Sequence, residues 1–190
     1  MILRSMQAAA LVAVLLAVPV ARAVEVAGVK VDDQVKVGAN ELVLNGAGVR
    51  TKVFVKVYVG ALYVSQKANT PAALLEAASP RRMTMRMLRD IDADTLYGAL
   101  RDGLKDNNSE AELAALKAST EHFAEIMKKV GSAKVGDTVA IDFTADGVSV
   151  SFNGEPRGKV PGAAFARALL KVWLGDNPVD SSLKKALLGG

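Results

Sequence analysis

The segment from Val53 to Val64 is apolar at nearly every position, and it constrains the fold more than any other part of the chain. Successive side chains of a strand point to opposite faces of the sheet, so a strand with one solvated face alternates apolar and polar residues. Here both alternating sets are mostly apolar, and Lys56 is the one charged residue. The segment therefore predicts a long strand inside a sheet that is covered on both faces.

A glycine-rich stretch, Asn45-Gly46-Ala47-Gly48, precedes this strand, and Arg50 follows two residues later. Glycine lets the backbone turn or bulge sharply, so we expect a turn or a bulge here. This places Arg50 at the mouth of an apolar strand pair, where a guanidinium is suited to anchoring an anion. The alternative is that Arg50 pairs with a carboxylate in a mixed core, with the hydroxyls of Tyr58 and Tyr63 bonded to backbone groups.

The remaining sequence supplies further strands and helices in a mixed order. Alternating patterns predict strands at residues 24–37 (one or two short edge strands), 81–90, 139–144 and 147–152. Helical spacing and capping residues predict helices at residues 71–78, 92–105, 109–130, 162–174 and 181–188. Pro156, Gly158 and Pro161 predict a loop. This order predicts an α+β fold, with a large antiparallel sheet covered by helices on one face.

Residues 1–23 have the pattern of a cleavable signal peptide. Arg4 precedes an apolar run from Ala8 to Val20, and Ala21-Arg22-Ala23 fits the small-x-small cleavage pattern. The alternative is a membrane anchor, but crossing a bilayer takes about 20 apolar residues, and this run is shorter. We therefore expect export to the periplasm, no stable membrane insertion after cleavage, and a single domain over residues 24–190.

Composition and charge argue against several other classes of function. Without Arg4 and Arg22 the chain has 22 basic and 20 acidic side chains, a formal charge of +2, and the basic residues are scattered, so no nucleic acid partner is expected. The chain has no cysteine, and its single histidine, His122, lies off the apolar stripe of a predicted helix, where a solvated side chain is expected. The carboxylates do not cluster at ligand spacing, so neither a nucleophile–histidine site nor a zinc site is expected. We predict no cofactor and no metal.

Three segments resemble the chalcone isomerase family, in particular its bacterial exported, chalcone isomerase-like branch. They are GAGVR at residues 46–50, FVKVYVGALYV at 54–64 and WLGDNPVDSSLKKALLG at 173–189. The resemblance covers essentially all of residues 24–190. It implies an open-faced β-sandwich, in which a large antiparallel sheet is backed by helices.

The resemblance also implies which residues could take part in chemistry. True chalcone isomerases cyclise a chalcone to a flavanone without a cofactor, and an arginine after the glycine-rich stretch holds the anion; that arginine corresponds to Arg50. Other family positions correspond less well. Tyr58 stands in place of a threonine, and Val172 in place of a hydroxyl-bearing residue. The family's tyrosine falls near Thr95, Leu96 or Tyr97, and its asparagine falls near Asp102 or Gly103. Efficient chalcone cyclisation is therefore not expected.

Three hypotheses about function follow. In the first, the chain binds an amphipathic anionic small molecule, a fatty acid or a phenolic compound, in an apolar cleft, with Arg50 and Tyr58 at the head group. The resemblance supports this, because the same fold includes plant fatty-acid-binding proteins. Candidate wall residues are Val57, Val59, Leu62, Leu100, Leu104, Val172 and Trp173.

In the second hypothesis, the chain is a cofactor-independent isomerase, an intramolecular lyase of chalcone isomerase type. Arg50 would then stabilise the anion, and Tyr58 or Tyr97 would donate a hydrogen bond. In the third, the fold is only a scaffold for interactions in the cell envelope.

Overall fold

A seven-stranded antiparallel sheet organises the structure, a computed structural model that describes residues 23–190. A separate two-stranded hairpin precedes it, formed by β1 (Ala23–Val26) and β2 (Val29–Asp32). The strands of the large sheet lie side by side in chain order: β3 (Gln34–Val37), β4 (Asn40–Lys52), β5 (Val55–Val64), β6 (Arg81–Met87), β7 (Thr138–Thr144), β8 (Gly147–Phe152) and β9 (Glu155–Pro161).

Six helices complete the described chain. They are α1 (Pro71–Leu75), α2 (Ala93–Asn107), α3 (Glu110–Ala115), α4 (Lys117–Val130), α5 (Ala163–Leu174) and α6 (Ser181–Leu187). None of these helices is long and apolar enough to cross a membrane. Residues 1–22, which contain nearly all of the predicted signal peptide, lie outside the described residues.

The apolar segment forms β5 and is covered on both faces, as the sequence predicts. On one face Tyr58, Leu62 and Val64 belong to the main core, which the helices cover. On the other face Val59, Ala61 and Tyr63 belong to a smaller cluster that includes residues of β1 to β4. The strand begins at Val55 instead of Val53, because residues 53 and 54 form the turn of the β4–β5 hairpin.

The glycine-rich stretch does not turn; it lies within β4 and contains a bulge. Leu44 faces Tyr63 and Gly46 faces Leu62, so Asn45 is the extra residue of the bulge. The expectation of a turn is therefore wrong and that of a bulge is confirmed.

The glycines of this stretch serve helix packing. A Cβ on Gly46 would lie 2.0 Å from the carbonyl oxygen of Ala186, and a Cβ on Gly48 would lie 2.6 Å from the Cβ of Ala186. Both distances are too short for real atoms, so a side chain at either position would displace α6. The missing side chains let α6 pack directly on β4.

Two further expectations differ from the structure. The predicted helix at residues 109–130 is divided at Leu116, although its start is capped, since Ser109 and Glu112 form a capping box. The predicted loop around Pro156 and Pro161 is strand β9. Proline has no backbone N–H to donate. Because β9 lies at the edge of the sheet, there is no further strand that would need this hydrogen bond, so proline is tolerated.

Candidate ligand-binding cleft

Arg50 is buried near the end of β4 without a charged partner. It lies directly opposite Tyr58 of β5, and residues in that position share one face of the sheet, here the face that the helices cover. Only 8 % of Arg50 is exposed, and its Nε makes no hydrogen bond. Within the described chain, no carboxylate lies within 4.0 Å of its guanidinium. The alternative in which Arg50 pairs with an internal acid is therefore not what the structure contains.

The ring of Tyr58 packs against the guanidinium of Arg50. The Cζ of Arg50 lies 5.6 Å from the centre of the Tyr58 ring, within the range of a cation–π contact. The Tyr58 hydroxyl accepts a 2.9 Å hydrogen bond from Nε1 of Trp173. Burial raises the pKa of Tyr58 to about 12, although the nearby charge of Arg50 acts in the opposite direction. The phenol is therefore protonated at neutral pH and cannot act as a base.

A cleft of about 400 Å³ opens beside Arg50. One side is the end of the β4–β5 hairpin, and the other is the segment after β6 together with the first turns of α2. The apolar residues of its wall are Val53, Val55, Val57, Ile91, Leu96 and Ala99. The cations that line it are Arg50, Lys52 and Arg89. Its size lies in the range of small-molecule sites, roughly 300–1,000 Å³.

The two carboxylates of the cleft already have partners. Asp90 accepts hydrogen bonds from Nζ of Lys134 and the backbone N–H of Val135, both at 3.0 Å. Asp92 caps α2, accepting from the backbone N–H and the hydroxyl of Thr95 at 2.7 and 2.8 Å. These hydrogen bonds hold the pKa of both carboxyl groups below the usual value. In contrast, Arg50, Lys52 and Arg89 have no ion pair within residues 23–190, so the cleft favours an anion.

A second cavity, of about 310 Å³, lies between α2, α3 and α4. Tyr97, Leu104 and Leu113 are among its lining residues. Its charged residues are exposed, and several are paired, as Lys117 is with Glu121 at 4.0 Å. This cavity contains no buried charge that lacks a partner, so we regard the cleft at Arg50 as the better candidate for an anion.

The structure brings some of the predicted site residues together and separates others. Arg50 and Val57 line the cleft. Tyr58 lies beneath Arg50 and is only 2 % exposed, whereas Tyr97 and Leu104 line the second cavity. The other predicted residues are packed in a core away from the cleft: Val59, Leu62, Leu100, Val172 and Trp173. Their roles as ligand contacts stay predictions.

The positions that the resemblance assigned to catalytic partners are also separated. Thr95 and Leu96 line the cleft, but the hydroxyl of Thr95 is bonded to Asp92. Asp102 is exposed and pairs with Arg101. A Cβ on Gly103 would lie 2.8 Å from Cγ1 of Val172, so these two positions pack against each other. No described phenol lines the cleft beside Arg50.

The resemblance placed Thr95 or Leu96 near the site, but sequence reasoning missed the rest of this side of the cleft, residues 89–92 and Ala99. The feature that places this segment beside Arg50 is the antiparallel pairing of β5 and β6, in which Tyr58 faces Met87. Residues that follow Met87 must then run alongside residues that precede Tyr58. Had this pairing been predicted, Arg89 and Ile91 would have been placed next to Arg50.

Comparisons with known proteins agree with this architecture. A family model described as chalcone isomerase-like matches residues 23–189. A crystal structure of a fatty-acid binding protein from Arabidopsis thaliana is similar, with a TM-score of 0.67 and 14% sequence identity over 85% of this chain and 92% of that chain. At this identity the likeness shows a shared fold, an antiparallel sheet with helices. No curated protein sequence matches the chain.

Proposed function

The chain belongs to the chalcone isomerase-like family, and from this premise we propose that it binds an amphipathic anion, a fatty acid or a phenolic compound, in the cleft beside Arg50. The observation that carries the proposal is the buried guanidinium of Arg50, which has no acid partner within the described chain. A buried polar group without a partner costs about 1–3 kcal/mol, more when it is charged. A ligand carboxylate would remove this cost by forming a charge-assisted pair with Arg50.

The rest of the cleft suits the apolar part of such a ligand. Val55, Val57, Ile91 and Leu96 form apolar walls next to the guanidinium. Each buried methylene of a chain would contribute about 0.8 kcal/mol. A similar structure is that of a fatty-acid binding protein, which supports a fatty acid as the first ligand to test.

Binding fits the cleft better than turnover does. The Tyr58 hydroxyl is buried and accepts a hydrogen bond from Trp173, and Tyr97 lines a different cavity. Neither phenol therefore lies where it could donate to the oxygen of an enone held by Arg50. An ultraviolet assay with chalcone is expected to show no acceleration of ring closure, and rapid turnover would favour the isomerase hypothesis instead.

The first prediction concerns Arg50→Ala. Extraction and mass spectrometry of the purified protein are expected to show bound fatty acids, and the variant should lose them. Removing one hydrogen-bonded charged partner costs about 1.5–3 kcal/mol, which raises the Kd of a fatty acid about tenfold to a hundredfold. Isothermal titration calorimetry would measure this change.

Arg101→Ala is the matched control. Arg101 is an exposed arginine that lines the second cavity, where it pairs with Asp102. Its removal should leave the Kd unchanged. If Arg101→Ala weakens binding and Arg50→Ala does not, the ligand occupies the second cavity and the assignment of the cleft is wrong.

A further inference from the structure

The turn between β4 and β5 exposes two apolar side chains at its tip. Val53 and Phe54 form the turn between the paired residues Lys52 and Val55. Val53 is 79 % exposed and Phe54 is 97 % exposed, and Val55 next to them is also exposed. Val53 and Phe54 are called the hairpin tip below. An aromatic ring that is almost fully in water contributes nothing to the core, so packing does not account for it.

The backbone of the hairpin tip is also unfavourable for these two residue types. The φ angles are +47° at Val53 and +65° at Phe54. Two-residue hairpins with positive φ at both positions favour Asn-Gly, because a branched or bulky side chain is strained in this conformation. Neither folding nor solubility therefore favours Val-Phe over Asn-Gly, and strain of this kind is characteristic of functional positions.

Basic side chains surround the hairpin tip. Lys52 and Lys56 flank it on the two strands, and Arg89 lines the same cleft as Lys52 and Val53. Lys134 is held nearby through Asp90, which also lines that cleft. These four residues are called the basic rim below. Three ionised carboxylates lie on this side, Asp90, Asp92 and Asp137, so the four cations of the rim exceed them by one charge.

We propose that the hairpin tip inserts into the head-group region of a bilayer that contains anionic lipids, while the basic rim contacts lipid phosphates. Phe is among the apolar side chains that interfacial segments bury at the head-group boundary, and Lys and Arg near the surface add electrostatic attraction to anionic lipid. Val135, another exposed apolar residue, lies on the same side, because its N–H bonds to Asp90. Docking of this kind is reversible, because two side chains bury little area.

The shape of the hairpin tip favours a lipid surface over a protein partner or a second copy of the chain. A stable protein interface buries about 1,200–2,000 Å² and needs a broad complementary face. The tip is a narrow projection of two side chains, with charged residues immediately behind it. A lipid interface accepts such a projection without a shaped pocket.

Docking would also place the mouth of the cleft against the bilayer, because Lys52, Val53 and Val55 line the cleft. An amphipathic anion could then move between the membrane and Arg50 without crossing bulk water. This second step rests on the function proposed above. Docking itself rests on the hairpin tip and the basic rim.

Vesicle flotation tests the proposal. The protein is expected to float with vesicles of equal parts phosphatidylcholine and phosphatidylglycerol, to bind phosphatidylcholine alone weakly, and to release at high salt. Phe54→Gly should reduce binding about tenfold or more. Because Gly tolerates the positive φ, the melting temperature should not fall, so lost binding cannot come from misfolding.

Matched controls cover the apolar and the charged part of the surface. Val24→Gly removes another exposed apolar side chain, on β1, and should leave flotation unchanged. Lys56→Glu should weaken flotation. Lys36→Glu should leave flotation unchanged, because Lys36 lies beside Glu41 at the other end of β4. Unchanged flotation of Phe54→Gly would overturn the proposal, and so would a dimer that this variant dissociates, which would assign the tip to a second copy.

Different measurements test the ligand-binding proposal and the bilayer-docking proposal. Phe54→Gly should keep its Kd for a soluble fatty acid when no vesicles are present, because Phe54 does not line the cleft. Arg50→Ala should keep vesicle flotation and lose fatty-acid affinity. Loss of both properties in either of these two variants would contradict the separate roles proposed here for Phe54 and Arg50.

Discussion

Arg50 and Arg81 are both buried arginines, and their guanidinium groups have different surroundings. Nη1 of Arg81 donates to the backbone carbonyl oxygens of Leu74 and Leu75, the last two residues of α1. Desolvation lowers the pKa of Arg81, and the helix carbonyls accept from its Nη1, although its Nε, like that of Arg50, makes no hydrogen bond. Arg50 has the aromatic ring of Tyr58 beneath it and an open cleft beside it. Arg81 therefore supports the fold, whereas Arg50 is available to a ligand.

Alkaline pH should destabilise the protein because of its buried tyrosines. Burial raises the pKa of Tyr58, and also that of Tyr63, from 10.0 to about 12. Below pH 10 both the folded and the unfolded state keep the phenol protons. Between pH 10 and about 12 the unfolded state loses them first, so the free energy of unfolding falls, and it levels off above that range. Urea unfolding over this range should show a loss of up to about 3 kcal/mol from Tyr58 and a smaller loss from Tyr63.

Tyr58→Phe separates this effect from packing. Below pH 10 the variant should be less stable than the parent by about 1–3 kcal/mol, because the indole N–H of Trp173 loses its acceptor. Its alkaline loss should be smaller than that of the parent, because one phenol is gone. An alkaline slope that equals the parent's would mean that Tyr58 is not protected from ionisation.

At the scale of secondary-structure elements, the contact between α6 and β4 depends on two glycines. Gly48→Ala would place its Cβ 2.6 Å from the Cβ of Ala186 and 3.4 Å from Cδ1 of Leu183. The helix would have to move, and overpacking of this kind costs about 1–3 kcal/mol. Chemical denaturation should therefore show a less stable variant.

Gly98→Ala is the control for this substitution. Gly98 lies within α2, and a Cβ there would meet no atom within 4 Å. Alanine is favoured over glycine inside a helix by about 1 kcal/mol, so this variant should be slightly more stable. If both substitutions behave alike, the close approach of α6 to β4 does not limit stability.

The elements that could be predicted from the sequence are those with a local physical signal. The charge-poor run of β5, the start of α2 at its Asp92 cap and the start of α3 at the capping box of Ser109 and Glu112 each depend on neighbouring residues only. Strand β9 was missed because Pro156 and Pro161 are acceptable only at a sheet edge, a property of the whole sheet. The break at Leu116 carries no proline or glycine, so no local signal marked it.

At the scale of the whole molecule, ligand binding should stabilise the fold. A ligand that binds the folded state alone adds about 2.7 kcal/mol when its free concentration is a hundred times Kd. Thermal unfolding with and without a fatty acid should therefore show a higher melting temperature in its presence. Arg50→Ala should show a much smaller rise at the same concentration, and an equal rise would argue against a role for Arg50 in binding.

Half of the candidate site could be predicted from the sequence. Arg50 was identified because a lone arginine beside an apolar strand is conspicuous within one segment. Arg89 and Ile91 could not be placed with it, because their position depends on how β6 pairs with β5. Apolar periodicity also cannot separate a cleft wall from a core, as the burial of Leu100 and Trp173 shows.

The two sides of the cleft are attached to the sheet in different ways. One side belongs to the tight β4–β5 hairpin, whose residues are fixed by strand pairing. The other belongs to residues 88–137, an excursion that leaves β6 and returns to its neighbour β7. Mutation could reshape that excursion, and with it the choice of guest molecule, while the guanidinium keeps its place on the hairpin. Proteins with this fold could in this way bind different ligands while all of them keep the arginine on the hairpin.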